Sequence, residues 1–421
     1  MENNYYVPFT KEMKKDYTIL VPCMLPTHFK LVGRVLENLG YKVDVLTKSG
    51  KEIAQTGIKY VHNDTCYPAL LMIGQFIDAL QSGKYDVNKV ALIMFQTGGG
   101  CRASNYISLI RKAIAKAGYG HVPVISISLA SIEKHPGFKL GLPMIVRMLY
   151  AILYGDLLMM LLNQSKPYEK EAGASDRLVD EWIARLSDEM KPGARVSYRR
   201  VKKNYDKIIA SFAAIPKTDE KKVRVGVVGE IYVKFSPLAN NGLNDFLVRE
   251  GAEVVVPGFL DFFLYVFANL VNDRARYGGS LVKHTAYKAM KKYFERRQND
   301  MLNAVHRDGH FKTLSPFAHT ETLVQGYIDA GVKMGEGWLL TAEMLELIEN
   351  GVPNIVCTQP FGCLPNHICG KGMMKVVKER NPGVNIVAVD YDPGMSVVNQ
   401  ENRLKLMLAN AKMQAEENGL S

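Results

Sequence analysis

Residues Cys357–Gly372 read C-T-Q-P-F-G-C-L-P-N-H-I-C-G-K-G, with cysteines at 357, 363 and 369. Pro360, Gly362, Pro365, Gly370 and Gly372 interrupt the stretch too often for one regular helix. The apolar run Val352 to Val356 ahead of it reads as a buried strand. Cys357 is therefore expected at a strand's carboxyl end, with the other two in the loop that follows. In an open α/β sheet, ligands bind at that edge. The remaining cysteines, Cys23, Cys66 and Cys101, each follow a strand-like run as well. Six soft ligands on loops at one sheet edge point to a metal cluster.

The first half alternates strands and helices. Tyr17–Val21 is a strand, about Phe29–Leu39 a helix stopped by Gly40, and Lys42–Leu46 a second strand, the start of a parallel α/β unit. Asp64 or Thr65 is placed to cap a helix running to about Leu80. Cys66 then falls near the helix start, where N–H groups favour a thiolate. Val90–Phe95 is a buried strand that runs into Gln96-Thr97-Gly98-Gly99-Gly100-Cys101-Arg102. A phosphate loop would end in Gly-Lys-Ser/Thr, and this one does not. Gly98, Gly99 and Gly100, and Gly362 in the later stretch, instead suit a cradle of backbone N–H groups around cluster sulfurs. Val122–Leu129 closes this layer.

A second α/β half begins at Val223 and repeats the first. Strand Val223–Val228, helix Leu243–Glu250, strand Glu253–Val256, helix Glu343–Asn350 and strand Val352–Val356 follow the same order. Gln96 to Cys101 matches Thr358 to Cys363. Asn385–Val389 is the last strand and about Glu401–Glu417 the last helix. The expected domains are 1–139, a helical segment and linker over 140–222, and 223–421 with a helical insertion near 257–315.

Gly141–Leu162 approaches the length of a membrane span. Arg147 and Asp156 interrupt it and Pro143 and Gly155 break it, so a buried or dimer-packing helix is expected, with no membrane span. Pro257–Val271 is a second such run, and together they predict a homodimer.

The chain has 421 residues, 47% hydrophobic and 23% charged, which fits a globular protein of two or three domains. Met1 to Asp16 carries no apolar leader, so a cytoplasmic setting is expected, where cysteines serve as ligands rather than disulfides. The net charge of +11 collects in Arg195–Lys207 and Lys283–Arg297. No zinc finger, helix-turn-helix or RNA-binding motif accompanies these runs, so nucleic acid is not expected. They read as solvated helix faces, or as a surface for an acidic protein or an anionic cofactor such as a coenzyme A ester. The chain has no C-x2-C pair, which argues against a structural zinc site.

Four motifs carry a family resemblance: N-D-T-C-Y-P-A at Asn63–Ala69, Q-T-G-G-G-C-R-A-S-N-Y at Gln96–Tyr106, V-G-E-I-Y-V-K-F-S-P-L-A-N-N at Val228–Asn241, and Cys357–Gly372 itself. With them the chain resembles the 2-hydroxyacyl-CoA dehydratase superfamily over nearly its whole length, most closely the branch linked to acyl-CoA dehydratase activators. The resemblance implies two facing Rossmann-like domains with helical insertions and an iron–sulfur site between them. Dehydratase subunits use three cysteines for one cubane and leave an iron open. The related double-cubane cluster proteins use six for two sulfide-bridged cubanes. Six cysteines favour the second, so Cys23, Cys66, Cys101, Cys357, Cys363 and Cys369 are the expected ligands of a double-cubane 8Fe-9S cluster, with a single 4Fe-4S cubane as the alternative.

Family electrons come from a separate dimeric ATPase with its own cluster. No such phosphate motif occurs here, which makes this the acceptor component. Three functions follow: a reductase of a small substrate, a dehydratase subunit binding a hydroxyacyl thioester, and a non-catalytic electron carrier or scaffold. No substrate or coenzyme A pocket can be matched residue by residue. Asp64, Arg102, Glu230, His319 and Glu336 are candidates for roles around the cluster, each weighed against a helix cap, salt bridge or solvated residue. His367 is a candidate donor to a cluster sulfur. Docking of the activator is expected near Arg199 and Lys291.

Overall fold

The computed structural model describes residues 5–97, 99–128, 133, 135–191, 193–194 and 196–417. Gly98 and Arg195 lie outside the described residues. Two four-stranded parallel sheets carry the architecture. The first holds β1 (Thr18–Pro22), β2 (Lys42–Leu46), β3 (Val90–Gln96) and β4 (Val124–Ser128), in the order β2-β1-β3-β4. The second holds β5 (Val223–Gly229), β6 (Ala252–Val255), β7 (Asn354–Pro360) and β8 (Asn385–Tyr391), in the order β6-β5-β7-β8. The two orders are the same permutation, so the repeat read in the sequence is a repeat of topology. The fold is α/β with two Rossmann-like sheets. In each, the connections reverse direction between the two central strands, where doubly wound sheets open a crevice.

The helices that position the site are α1 (Pro26–Asn38), α2 (Tyr67–Gln81), α3 (Leu142–Ser165), α4 (Ala174–Glu189), α5 (Tyr198–Ala213), α6 (Ile231–Phe235), α7 (Phe259–Tyr277), α8 (Leu281–Asp308), α9 (Phe317–Leu323) and α10 (Leu339–Glu349). Helix α1 starts three residues before its expected first residue, because Pro26 fits the first turn, where its missing N–H costs nothing.

Helices α3, α4, α5, α7 and α8 pack as one body around Leu153, Leu157, Trp182, Tyr205 and Leu264. Segment 140–222 and the insertion near 257–315 therefore form one helical layer. The apolar surface of Gly141–Leu162 and Pro257–Val271, expected to pack a dimer, is largely spent within the chain. Only the start of α3 keeps large apolar groups outside, at Leu142 and Ile145. Helix α3 is long and apolar enough to cross a membrane, and most of it is buried here. Its Asp156 accepts from His28 Nε2 at 2.8 Å and from the amides of Phe259 and Leu260 at 2.7 and 3.0 Å. This charge caps the start of α7 and ties the helical layer to α1. One apolar cluster joins Ile19 and Val21 of β1 to Val225 and Val227 of β5, so the two sheets share a core.

Two local expectations are corrected. Strand β7 runs on to Pro360, so Cys357 sits inside the strand and not at its carboxyl end. The ladder continues because β8 supplies Asp390 and Tyr391 opposite Gln359 and Pro360. Thr358 and Gln359 are polar yet fully buried, which an apolar-run criterion passes over. Cys369 lies in a tight π-helical turn, Asn366–Gly370, closed by the Lys371 amide on the carbonyls of Asn366 and His367.

Candidate functional site

The carboxyl edges of the two sheets meet along a seam. The Tyr67 amide donates to the Phe361 carbonyl at 3.1 Å. Ser236 Oγ donates to the Cys23 carbonyl at 3.4 Å, and the Gly100 amide to Met334 Sδ at 3.0 Å. Cys23 follows β1 and Cys101 follows β3, on either side of the point where the first sheet's connections reverse.

Cys66 is the N-cap residue of α2, in place of the expected Asp64 or Thr65. Its sulfur lies 3.6 Å from Tyr106 Oη and faces the Ala69 amide. Cys101 opens the short turn Arg102–Asn105, with the amides of Ala103 and Arg102 toward its sulfur. Cys363 faces the amide of Asn366. Burial pushes the thiols of Cys23 and Cys66 up to about 12 and those of Cys101 and Cys369 up to about 11, and it raises Cys363 as well. After burial, the largest influence on Cys66 is Glu230, with Cys101 adding to it. On Cys363 it is Glu336, with Cys66 adding to it. Cys66, Cys101, Cys363 and Cys369 thus converge on Glu230 and Glu336. Cys23 joins through Tyr232, whose phenol is raised by burial and by the nearby Cys23 and Glu230.

Cys357 stands apart. Its sulfur lies 3.8 Å from Asn366 Oδ1, under the turn that carries Cys369. Burial pushes this thiol up to about 12, and its charged neighbours are Lys371, Asp390 and Glu343.

The other expected residues divide. Glu230 caps α6, accepting from the Val233 amide at 2.8 Å, and Glu336 accepts from the Ile231 amide at 3.0 Å. Both are buried, and burial together with their mutual repulsion holds Glu230 above the usual carboxylate range. Asp64 is exposed beside His62, Arg102 and His367 are exposed, and His319 pairs at the surface with Glu349. Gly99 and Gly100 lie against the thioether of Met334. Gly362 lies against Cys66, whose Cα is 3.2 Å from where a Cβ would stand.

Sequence reasoning missed Tyr106, Tyr232, Lys234 and Asn366. All four lie inside the quoted motifs, but nothing in the residue types alone marked them.

Among the described residues, no three His, Cys, Asp or Glu side chains gather tightly enough for a single metal ion. A cubane spreads its thiolates wider, because each binds a different iron. The donor set fits such a group: six sulfurs, and backbone N–H groups aimed at three of them. Thr97 Oγ1 and Asn105 Oδ1, on either side of Cys101, are also buried without a hydrogen-bond partner, as is Gln359 Oε1 in β7. No protein-family profile and no curated protein matches the chain. The fold and site define an α/β protein of two parallel sheets with a cysteine-lined seam.

Proposed function

We propose that this chain is the electron-accepting component of an iron–sulfur reductase. Cys23, Cys66, Cys101, Cys357, Cys363 and Cys369 would hold a double-cubane 8Fe-9S cluster, charged by an ATP-hydrolysing iron–sulfur activator. The observation that carries the reading is the meeting of thiols from both halves at one buried seam. Thiols this buried stay protonated at neutral pH and are poor free nucleophiles, whereas metal coordination deprotonates them. When bound, the cluster supplies low-potential electrons to a small substrate.

The chain's own residues do the rest. Amides of Ala69, Ala103 and Asn366 offset thiolate charge. Cys23 and Cys66 belong to the apolar core shared by the two sheets, and Phe361, Leu364 and Ile368, close in sequence to Cys363 and Cys369, are exposed.

One observation favours a second reading, a 2-hydroxyacyl-CoA dehydratase subunit with a single 4Fe-4S cubane: Cys357 has no thiol among its charged neighbours. An anaerobic iron and sulfide count on the full chain separates the two. About eight irons per chain supports the double cubane, about four supports the single one, and none overturns both.

A further inference from the structure

Helix α10 carries Glu343, Glu346 and Glu349 three residues apart, so they stand on one face with Cβ atoms about 5–6 Å from neighbour to neighbour. Glu336 lies in the turn ahead of α10, close enough to Glu343 to raise it. Exposure changes along the file: Glu336 is 6% exposed, Glu343 and Glu346 are each 2%, and the Glu349 side chain is 47%. At the outer end Glu349 pairs with His319 Nε2 at 2.7 Å. Glu346 accepts from the Thr320 hydroxyl of α9 at 3.0 Å. Glu343 holds Lys234 Nζ at 2.7 Å with one oxygen, and its other oxygen is buried with no partner. Asp261 of α7 lies beside them and accepts from Gln298. The inner end is Glu336 and Glu230, the carboxyls nearest the seam thiols.

Asp261, Glu230, Glu336, Glu343 and Glu346 are buried around one buried ammonium, that of Lys234. A low-dielectric interior does not hold so many unpaired negative charges, so the group keeps protons. Burial raises Asp261, Glu343 and Glu346 above the ordinary carboxylate range. The charged groups facing them are Lys234 from α6, Asp156 from α3 and Glu336 ahead of α10.

We infer that this file is a proton conduit, loaded at His319 and Glu349, storing protons at Glu346, Glu343 and Asp261, and releasing them through Glu336 and Glu230 to the cysteine seam. The inference rests on the reductive reading above. A low-potential one-electron donor supplies two electrons in turn, and the two-electron reduction of a substrate consumes two protons. Each proton released at the seam is replaced by one from solvent, so the file's own proton count is restored and none of its groups changes oxidation state. Within α10 the one-turn spacing leaves the transfers from Glu349 to Glu346 and Glu343 to a carboxyl rotation or a bridging water.

The test has two arms on the full chain. In the cofactor-free protein at neutral pH, infrared spectra should show the C=O stretch of protonated carboxylic acids, reduced in E346Q, which keeps an acceptor for Thr320. A wild type without that band overturns the inference. In the cluster-loaded protein, E346Q should slow substrate reduction roughly tenfold or more with a larger solvent deuterium effect, while cluster reduction by the ATPase is unchanged. H319A, a surface change that leaves the interior intact, should also slow turnover and recover with added imidazole. Unchanged turnover and isotope effect in both variants would overturn the conduit. A chain that binds no iron overturns the reductase reading and the delivery step with it, and the infrared arm still decides whether the file stores protons.

Discussion

The backbone amide of Tyr67 donates to the carbonyl of Phe361 over 3.1 Å. This bond lies next to Cys66 on one side of the seam and two residues from Cys363 on the other. Main chain, rather than flexible side chains, holds thiols of the two halves in register.

Gly362 allows that register. Its φ is +70°, and a Cβ would stand 3.2 Å from Cys66 Cα. Gly362→Ala should cost about 1–2 kcal/mol from the left-handed backbone alone. It should also lower iron retention, because the displaced neighbour is the Cys66 backbone. Denaturant midpoints and iron content of the reconstituted variant check both.

Cys357 separates the two proposed readings. Under the double-cubane reading C357A loses iron and alters the reduced cluster's paramagnetic spectrum, as C66A and C363A do. Under the single-cubane reading it keeps full iron. Truncating so buried a thiol costs roughly 1–2 kcal/mol through the small cavity left, so stability and iron content must be read separately.

Lys234 and Glu343 form a buried pair, 4% and 2% exposed. Lys234→Met removes the only ammonium among these buried carboxyls and should destabilise by about 3–5 kcal/mol. The K234M/E343M double variant should recover most of that loss, because no uncompensated charge is left at the pair. Urea unfolding of the single and double variants measures the difference.

Burial pushes Asp261 from an ordinary 3.8 up to about 7, and Asp156 and Glu343 add to the shift. A carboxyl raised in the fold binds its proton more tightly there than in the unfolded chain. Its contribution is complete below about pH 4 and is lost as pH rises through about 7. Asp261→Asn should flatten the stability profile across that window. Profiles of the two proteins that run parallel would overturn the assignment.

The basic runs lie on α5 and α8, which pack side by side. Lys291 is engaged by Glu295 at 2.9 Å and Glu321 at 2.6 Å, whereas Lys288, Lys292 and Arg296 are exposed. Charge reversal at those three should slow activator-driven reduction at low salt and weaken its salt dependence. Stopped-flow reduction across a salt series reads the effect.

The central strands were legible because parallel sheets bury both faces of their inner strands, as at Val90–Ile93 and Val225–Val228. Strand β7 was misjudged at Thr358 and Gln359, where partner hydrogen bonds outweigh side-chain polarity. The cysteines were visible as a set, but their grouping was not. Alternation along β7 turns Cys357 away from Val356, and only the sheet's two faces reveal which thiols meet. Glu343, Glu346 and Glu349 were present at helical spacing. The burial of Glu343 and Glu346 depends on α7 and α9, which lie outside α10 in the sequence, so nothing local marked them as interior.

The core shared by Ile19, Val21, Val225 and Val227 bears on how the protein matures. Under the proposed cluster reading, ligands on both sides of a seam closed by apolar packing are hard to load from outside once the halves have joined. The first three cysteines leave the ribosome well before the last three, and domains fold in that order. Cofactor insertion would then be a step in docking the halves, and chain made without iron supply would keep its seam ajar, exposed to oxidation and proteases until metal arrived.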